Sequence, residues 1–257
     1  IAPPWGSLDA DLKKRYVRSQ EVYASMIELM DQQIGRLIRY LSTTGQLDNT
    51  VIFFMSDNGA SAEQIGIEDG PTSMPPEFEH FNVLVARRDN AFENIGRKGS
   101  FVDHGRGFGE AVTAPLRYFK STFAEGGIRT AAFVHYPKVL SEPTTNSTFI
   151  TVMDILPSFL DIAGSVHPGA VNHNGRKVQS IIGRSFWPHL TGKESTVHGD
   201  DDSAGWSKGS VGAIIKGKYK LTNQPAPGTN ASVMEPTWGL YDLKRDPGET
   251  DNIAREH

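Results

Sequence analysis

Two adjacent oxygen-bearing side chains, Asp57 and Asn58, follow directly on five apolar residues in the stretch VIFFMSDNGA at positions 51–60. A carboxylate next to an amide carbonyl is a pair of hard oxygen donors of the kind that Ca²⁺ or Mg²⁺ accepts. Gly59 behind them is a residue at which the backbone can turn sharply. Asp-Asn-Gly is also ordinary turn chemistry, and taken alone it reads as a turn before it reads as a metal site. Lys120 offers a cation ten residues before a second apolar run, although a lone lysine is usually a solvated charge. His104 lies in FVDHGRGFGE, where flanking glycines make it a candidate substrate-pocket residue. A lone histidine is more often structural. The run from His198 to Asp202 (HGDDD) has cation-binding groups, but it reads first as a solvated acidic loop.

The elements that must position these residues are partly visible. Across residues 8–41, apolar side chains recur at steps of three and four (Leu12, Tyr16, Tyr23, Met26, Ile27, Met30, Ile34, Leu37, Leu41), which predicts a long amphipathic helix stopping near Gly45. Residues 51–55 form a continuous apolar run, the pattern of a strand buried on both faces. In open α/β sheets, ligands bind beyond the carboxyl ends of strands, which is where Asp57 and Asn58 fall. Residues 60–115 have no sustained period and read as a long irregular excursion with short helical pieces, of the sort that forms lids or binding loops. Residues 130–135 predict a second buried strand after the Gly126-Gly127 turn. Residues 151–163 predict a helix, with Pro157 in its first turn or at a kink. Residues 211–221 and 239–243 read as strands joined by turns. Asp246-Pro-Gly is a turn, and a helix is expected from Glu249 onward. The expected organisation is an α/β portion over residues 1–199 and a small antiparallel subdomain over 200–257.

Composition narrows the classes. A charged fraction of 22% with 38% apolar residues suits a packed globular chain and excludes a disordered one. The net charge of −4 argues against nucleic acid or an anionic membrane as partner. No apolar run approaches the ~18 residues of a spanning helix. The chain has no cysteine, which excludes disulfides and thiolate metal sites and leans toward a cytoplasmic protein. Two sequons, at Asn146 and Asn230, matter only in a secreted protein. The start at Ile1, without initiator methionine or signal pattern, is the look of an interior stretch of a longer protein. Oligomeric state is not legible.

The ordered set LDNTVIFFMSDNGA, NAFENIGRKGSFV, APLRYFKSTFAEGGIR, VMDILPSFLDIAG, GRSFWPHLTG and LYDLKRDPGE resembles the second half of a type I arylsulfatase, of the bacterial-type branch. The resemblance covers nearly the whole chain, and its specificity lies in the order of the segments. It implies an alkaline-phosphatase-like α/β fold with a small four-stranded antiparallel subdomain. It implies hydrolysis of small-molecule sulfate esters to an alcohol or phenol plus sulfate, with Ca²⁺ and a formylglycine nucleophile made within C/S-x-P-x-R. By this match Asp57 and Asn58 are the second pair of Ca²⁺ ligands, and Lys120, five residues before the EGG turn, binds the sulfate group.

The departures are equally specific. The chain has no C/S-x-P-x-R, no earlier aspartate pair, and neither the lysine and histidine that follow the nucleophile nor the Ala-Pro-His-x-Pro histidine. Arg184 and Ser185 stand in GRSF in the wrong place and order for the nucleophile motif. The formylglycine is expected in an absent N-terminal half, and this chain alone is expected to be inactive. Two other readings stand beside the sulfatase: a truncated, non-catalytic interaction module, and a phosphate- or phosphonate-ester hydrolase of the same superfamily. Those hydrolases often carry histidine where Asn58 stands, so Asn58 favours sulfate.

Overall fold

A computed structural model describes residues 2–67, 87–169, 172–228 and 237–256. Helix α1 (Ala10–Thr43) fits the predicted period, and Asp9 caps it by accepting from the Leu12 N–H. Gly45, at φ +68°, takes the left-handed turn that ends it. The early part of α1 is its anchored part. Tyr16 is buried against α2 (Gly105–Thr113), and the Arg15 guanidinium donates to the carbonyls of Gly66, Ile67 and Asn90. Those three bonds fasten the excursion that follows the first strand onto the helix.

Strand β1 (Ile52–Met55) pairs antiparallel with β2 (Ala132–His135). The apolar run predicted a strand buried on both faces, but β1 is only half-buried. Phe53 lies against Phe159 of α4 (Ile155–Ile162) and stacks on Phe186. On the opposite face Phe54 stacks on its cross-strand partner Phe133, which is 53% exposed. Strand β2, expected to be buried, is mostly exposed, because among the described residues it pairs with β1 alone and nothing covers its outer face. Pro157 falls in the first turn of α4, where its missing N–H costs no helical bond.

Between α2 and β2, the four-residue helix α3 (Glu125–Ile128) forms the EGG turn. A two-residue hairpin pairs β3 (Asn172–His173) with β4 (Arg176–Lys177), and helix α5 (Trp187–Leu190) leads toward the last sheet. That sheet is antiparallel in the order β5 (Ser203–Lys208), β6 (Val211–Lys216), β7 (Tyr219–Thr222), β8 (Gly239–Asp242). Its first two turns are Gly209-Ser210 and Gly217-Lys218, each with a positive-φ glycine first, as two-residue hairpins require.

The helix expected from Glu249 is not formed, and among residues 250–256 there are only turns. Glu249 takes φ +53° and is buried, which sends its carboxylate inward toward Lys220. Among the described residues, no helix is long and apolar enough to cross a membrane.

Candidate functional site

The end of β1 and the loop carrying Lys120 are stitched together through backbone. The Gly59 N–H donates to the Gly127 carbonyl (3.0 Å), and the Lys120 N–H donates to the Ala60 carbonyl (2.9 Å). Gly59 does not take a left-handed turn. It is glycine because a Cβ there would lie 1.7 Å from the Gly126 carbonyl oxygen. The glycines of α3 are required for the same reason. A Cβ on Gly126 would meet the Tyr118 carbonyl at 2.2 Å, and one on Gly127 the Thr122 carbonyl at 2.3 Å. The loop therefore wraps the EGG turn at van der Waals contact, with Tyr118 and Ser121 at positive φ on either side of Lys120.

This framework presents three polar side chains. Asp57 and Lys120 are exposed and Asn58 is half-buried. The Ser56 hydroxyl donates to the Asn58 carbonyl (2.9 Å), closing the turn, and the Asn58 amide donates to the Asp57 carboxylate. Among the described residues the second carboxylate oxygen of Asp57 and the amide oxygen of Asn58 make no hydrogen bond. That donor set fits a hard cation, as part of a shell that needs about six to eight oxygens. Among the described residues, no three acidic or histidine side chains converge on a metal site of their own. Lys120 Nζ makes no hydrogen bond or ion pair among the described residues. Its charge is felt by Asp103, whose carboxyl is pushed above the ordinary aspartate value by burial and by Glu63, against the pull of His104 and Lys120. No short motif marks Asp103, which stands beside the site only through the path of the excursion.

His104 is placed differently from the two metal candidates. It is buried before α2, its Nε2 donating to the Ser61 carbonyl (2.7 Å) and its Nδ1 facing the Gln20 amide (3.2 Å). Its ring packs on Tyr23. Both nitrogens are spent on holding the excursion to α1, so the pocket role expected for His104 has no free ring nitrogen behind it. Arg184 and Ser185 also serve the framework, Arg184 pairing with Asp202 (2.7 Å) and the Ser185 hydroxyl donating to Asp161 (2.7 Å).

The acidic run divides. Asp202 caps the Gly199 N–H, and Asp201 pairs with exposed Lys216, whereas His198 points inward to Asp154 (2.9 Å). Asp154 is fully buried and also accepts from the Thr151 and Arg184 N–H groups. Burial pushes its carboxyl upward, but the bonds from His198, Arg184 and Thr151 outweigh burial and hold it below the ordinary range.

The small sheet grips the Lys120 loop from the other side. Arg117 donates to the Tyr241 hydroxyl (2.9 Å), the Phe123 N–H donates to Gln224 Oε1 (2.9 Å), and Glu125 meets Lys220 (2.9 Å). The strand that runs into Asp-Asn-Gly, the lysine loop, and the four-stranded sheet that holds this loop from the other side form one α/β framework. Residues 6–165 match the Sulfatase family model, and the chain belongs to the sulfatase family. It is 40% identical over 98% of its length to an uncharacterized sulfatase of Schizosaccharomyces pombe, covering 43% of that protein. It is 34% identical to the arylsulfatase of Klebsiella aerogenes, over 62% of this chain and 32% of that one. The crystal structure of the PsFucS1 sulfatase from Pseudoalteromonas sp. superposes with a TM-score of 0.56 at 19% identity, over 91% of this chain and 38% of that one. The fold is the alkaline-phosphatase-like fold of the sulfatases. The chain spans less than half the length of these relatives.

Proposed function

We propose that this chain is the part of a sulfuric ester hydrolase that supplies two metal ligands and one sulfate-binding cation. The observation that carries the reading is the pair of backbone bonds joining Gly59 to Gly127 and Ala60 to Lys120, which hold an oxygen-donor pair and an exposed ammonium on one framework. Asp57 and Asn58 would hold a divalent cation, Ca²⁺ by resemblance to the family. That ion, when bound, supplies positive charge next to the sulfate oxygens. Lys120 binds the same group. Sulfate-ester cleavage moves charge onto the sulfuryl and leaving-group oxygens, and a fixed ammonium about 4 Å away contributes roughly 4 kcal/mol at an effective dielectric of 20. The site faces water, so part of that is screened.

The nucleophile expected of the family, a formylglycine, has no matching motif in this sequence. The chain by itself is expected to turn over no sulfate ester and to bind Ca²⁺ weakly. Residues from about 200 onward form the small subdomain. Asn58 favours sulfate over phosphate esters, and the relatives' names are consistent with that preference. In the full-length protein, Asp57→Ala should remove calcium and activity together, and Asn58→Ala should lower both less, because a neutral ligand is lost. Equal calcium by elemental analysis in wild type and Asp57→Ala, or aryl sulfate hydrolysis by the purified chain, would overturn this reading.

A further inference from the structure

Strand β7 reads Tyr-Lys-Leu-Thr, a pattern whose plain alternation would put Leu221 inward and Lys220 in water. The opposite is observed. Lys220 is fully buried in the column Ile215–Lys220–Tyr241, while Leu221 faces out opposite Ile214. The Lys220 ammonium lies 2.9 Å from Glu125 and 3.0 Å from Glu249, and the second Glu249 oxygen accepts from the Glu125 N–H at 2.7 Å. Arg129, 4.0 Å from Glu125, brings a second positive charge, so two cations face two carboxylates. Glu249 enters the cluster only by adopting a left-handed backbone.

Such a cluster is an inefficient way to gain stability, since apolar side chains of the same volume commonly do as well or better. What it supplies is direction. Glu125 is the first residue of the EGG turn; its carboxylate is held by Lys220 of the small sheet and its N–H by Glu249, which follows that sheet. The next two residues are the glycines against which Gly59 and the Lys120 loop are packed.

We infer that Lys220 is a positioning residue for Lys120: by locking Glu125 between β7 and Glu249 it sets the EGG turn, and with it the loop from which Lys120 reaches the sulfate group. The inference rests on the reading of Lys120 as a sulfate-binding cation. Lys220 touches neither substrate nor metal, and acts through Glu125, Gly126 and Gly127.

The test is a double-mutant cycle in the full-length protein, with Lys220→Met and Lys120→Ala made singly and together. Affinity for inorganic sulfate is read by calorimetry and KM for an aryl sulfate by steady-state kinetics, each well below the variant's Tm, with calcium content checked. Lys220→Met should weaken sulfate binding about tenfold, Lys220→Arg less, and in the Lys120→Ala background Lys220→Met should add less than about twofold. A merely structural role would lower Tm and leave sulfate affinity unchanged, or cost the same in both backgrounds, and either result overturns the inference. If Lys220→Met does not fold, Glu249→Gln replaces it in the same cycle, with the same non-additivity expected. Unchanged sulfate affinity in Lys120→Ala would overturn the underlying reading instead. A loss there with none in the folded Lys220 or Glu249 variant overturns the positioning role alone.

Discussion

Gly59 and Gly126 are pressed together so closely that a single added carbon on Gly59 would sit 1.7 Å from the Gly126 carbonyl oxygen. The contact joins the strand end carrying Asp57 and Asn58 to the turn that shapes the Lys120 loop, and backbone on both sides leaves no flexible side chain to yield. Gly59→Ala should therefore cost at least about 3 kcal/mol, more than an ordinary core substitution. Gly35→Ala in α1 is the matched control. Its Cβ would meet only the exposed Arg39 guanidinium, at 3.4 Å, and it should stabilise the helix by roughly 0.5–1 kcal/mol. Denaturant unfolding of both variants checks the contrast.

Lys120→Ala should leave Tm nearly unchanged, because the side chain is exposed and makes no bond among the described residues. In the full-length protein it should lower kcat/KM about 30- to 1,000-fold, with the loss shared between KM and kcat. Lys120→Arg should rescue poorly, since a planar fork does not replace a compact ammonium. Unchanged kinetics in Lys120→Ala would return this residue to the solvated surface.

Asp154 gives a pH signature. Its folded carboxyl lies below the ordinary value of 3.8, so its contribution to stability is present above that pH and is lost as pH falls through the folded pKa. Asp154→Asn should be less stable than wild type at pH 7, by about 2–3 kcal/mol. Below pH 4 the two melting curves should converge. A constant gap in Tm down to pH 2 would sink the assignment.

His104→Ala should lower stability by about 2 kcal/mol, since it strips the carbonyl of half-buried Ser61 of its partner and removes a buried ring. KM for an aryl sulfate should stay within about twofold of wild type in the folded full-length protein. A large rise in KM without a change in Tm would restore the histidine to the substrate pocket.

Much of the scaffold was legible because its signals are local. The period of α1 and the apolar run of β1 depend on neighbours a few residues away. The oxygen pair and the lysine were legible only as an ordered family pattern, since Asp-Asn-Gly alone says turn. What was missed depends on partners far along the chain. Lys220 is inward because Glu125 and Glu249 meet it there, and no alternation rule contains that. Glu249 reads as a helix start until its carboxylate is seen to be needed inside. His198 reads as part of an acidic loop, yet its ring leaves the loop for Asp154, 44 residues earlier.

Helix α1 has 34 residues and is therefore about 50 Å long, but every side chain from position 24 to 33 is exposed. Met26 and Leu29 are among them, at 63% and 58%. Protection of backbone amides against deuterium exchange comes from tertiary cover as well as from the helical bond itself, and this span has only the second. Its amides open by local helix–coil fluctuation, while those around Tyr16 and Ser19 wait for the body of the protein to open. The longest helix among the described residues thus contains a stretch whose amides should exchange ahead of those in its own first half.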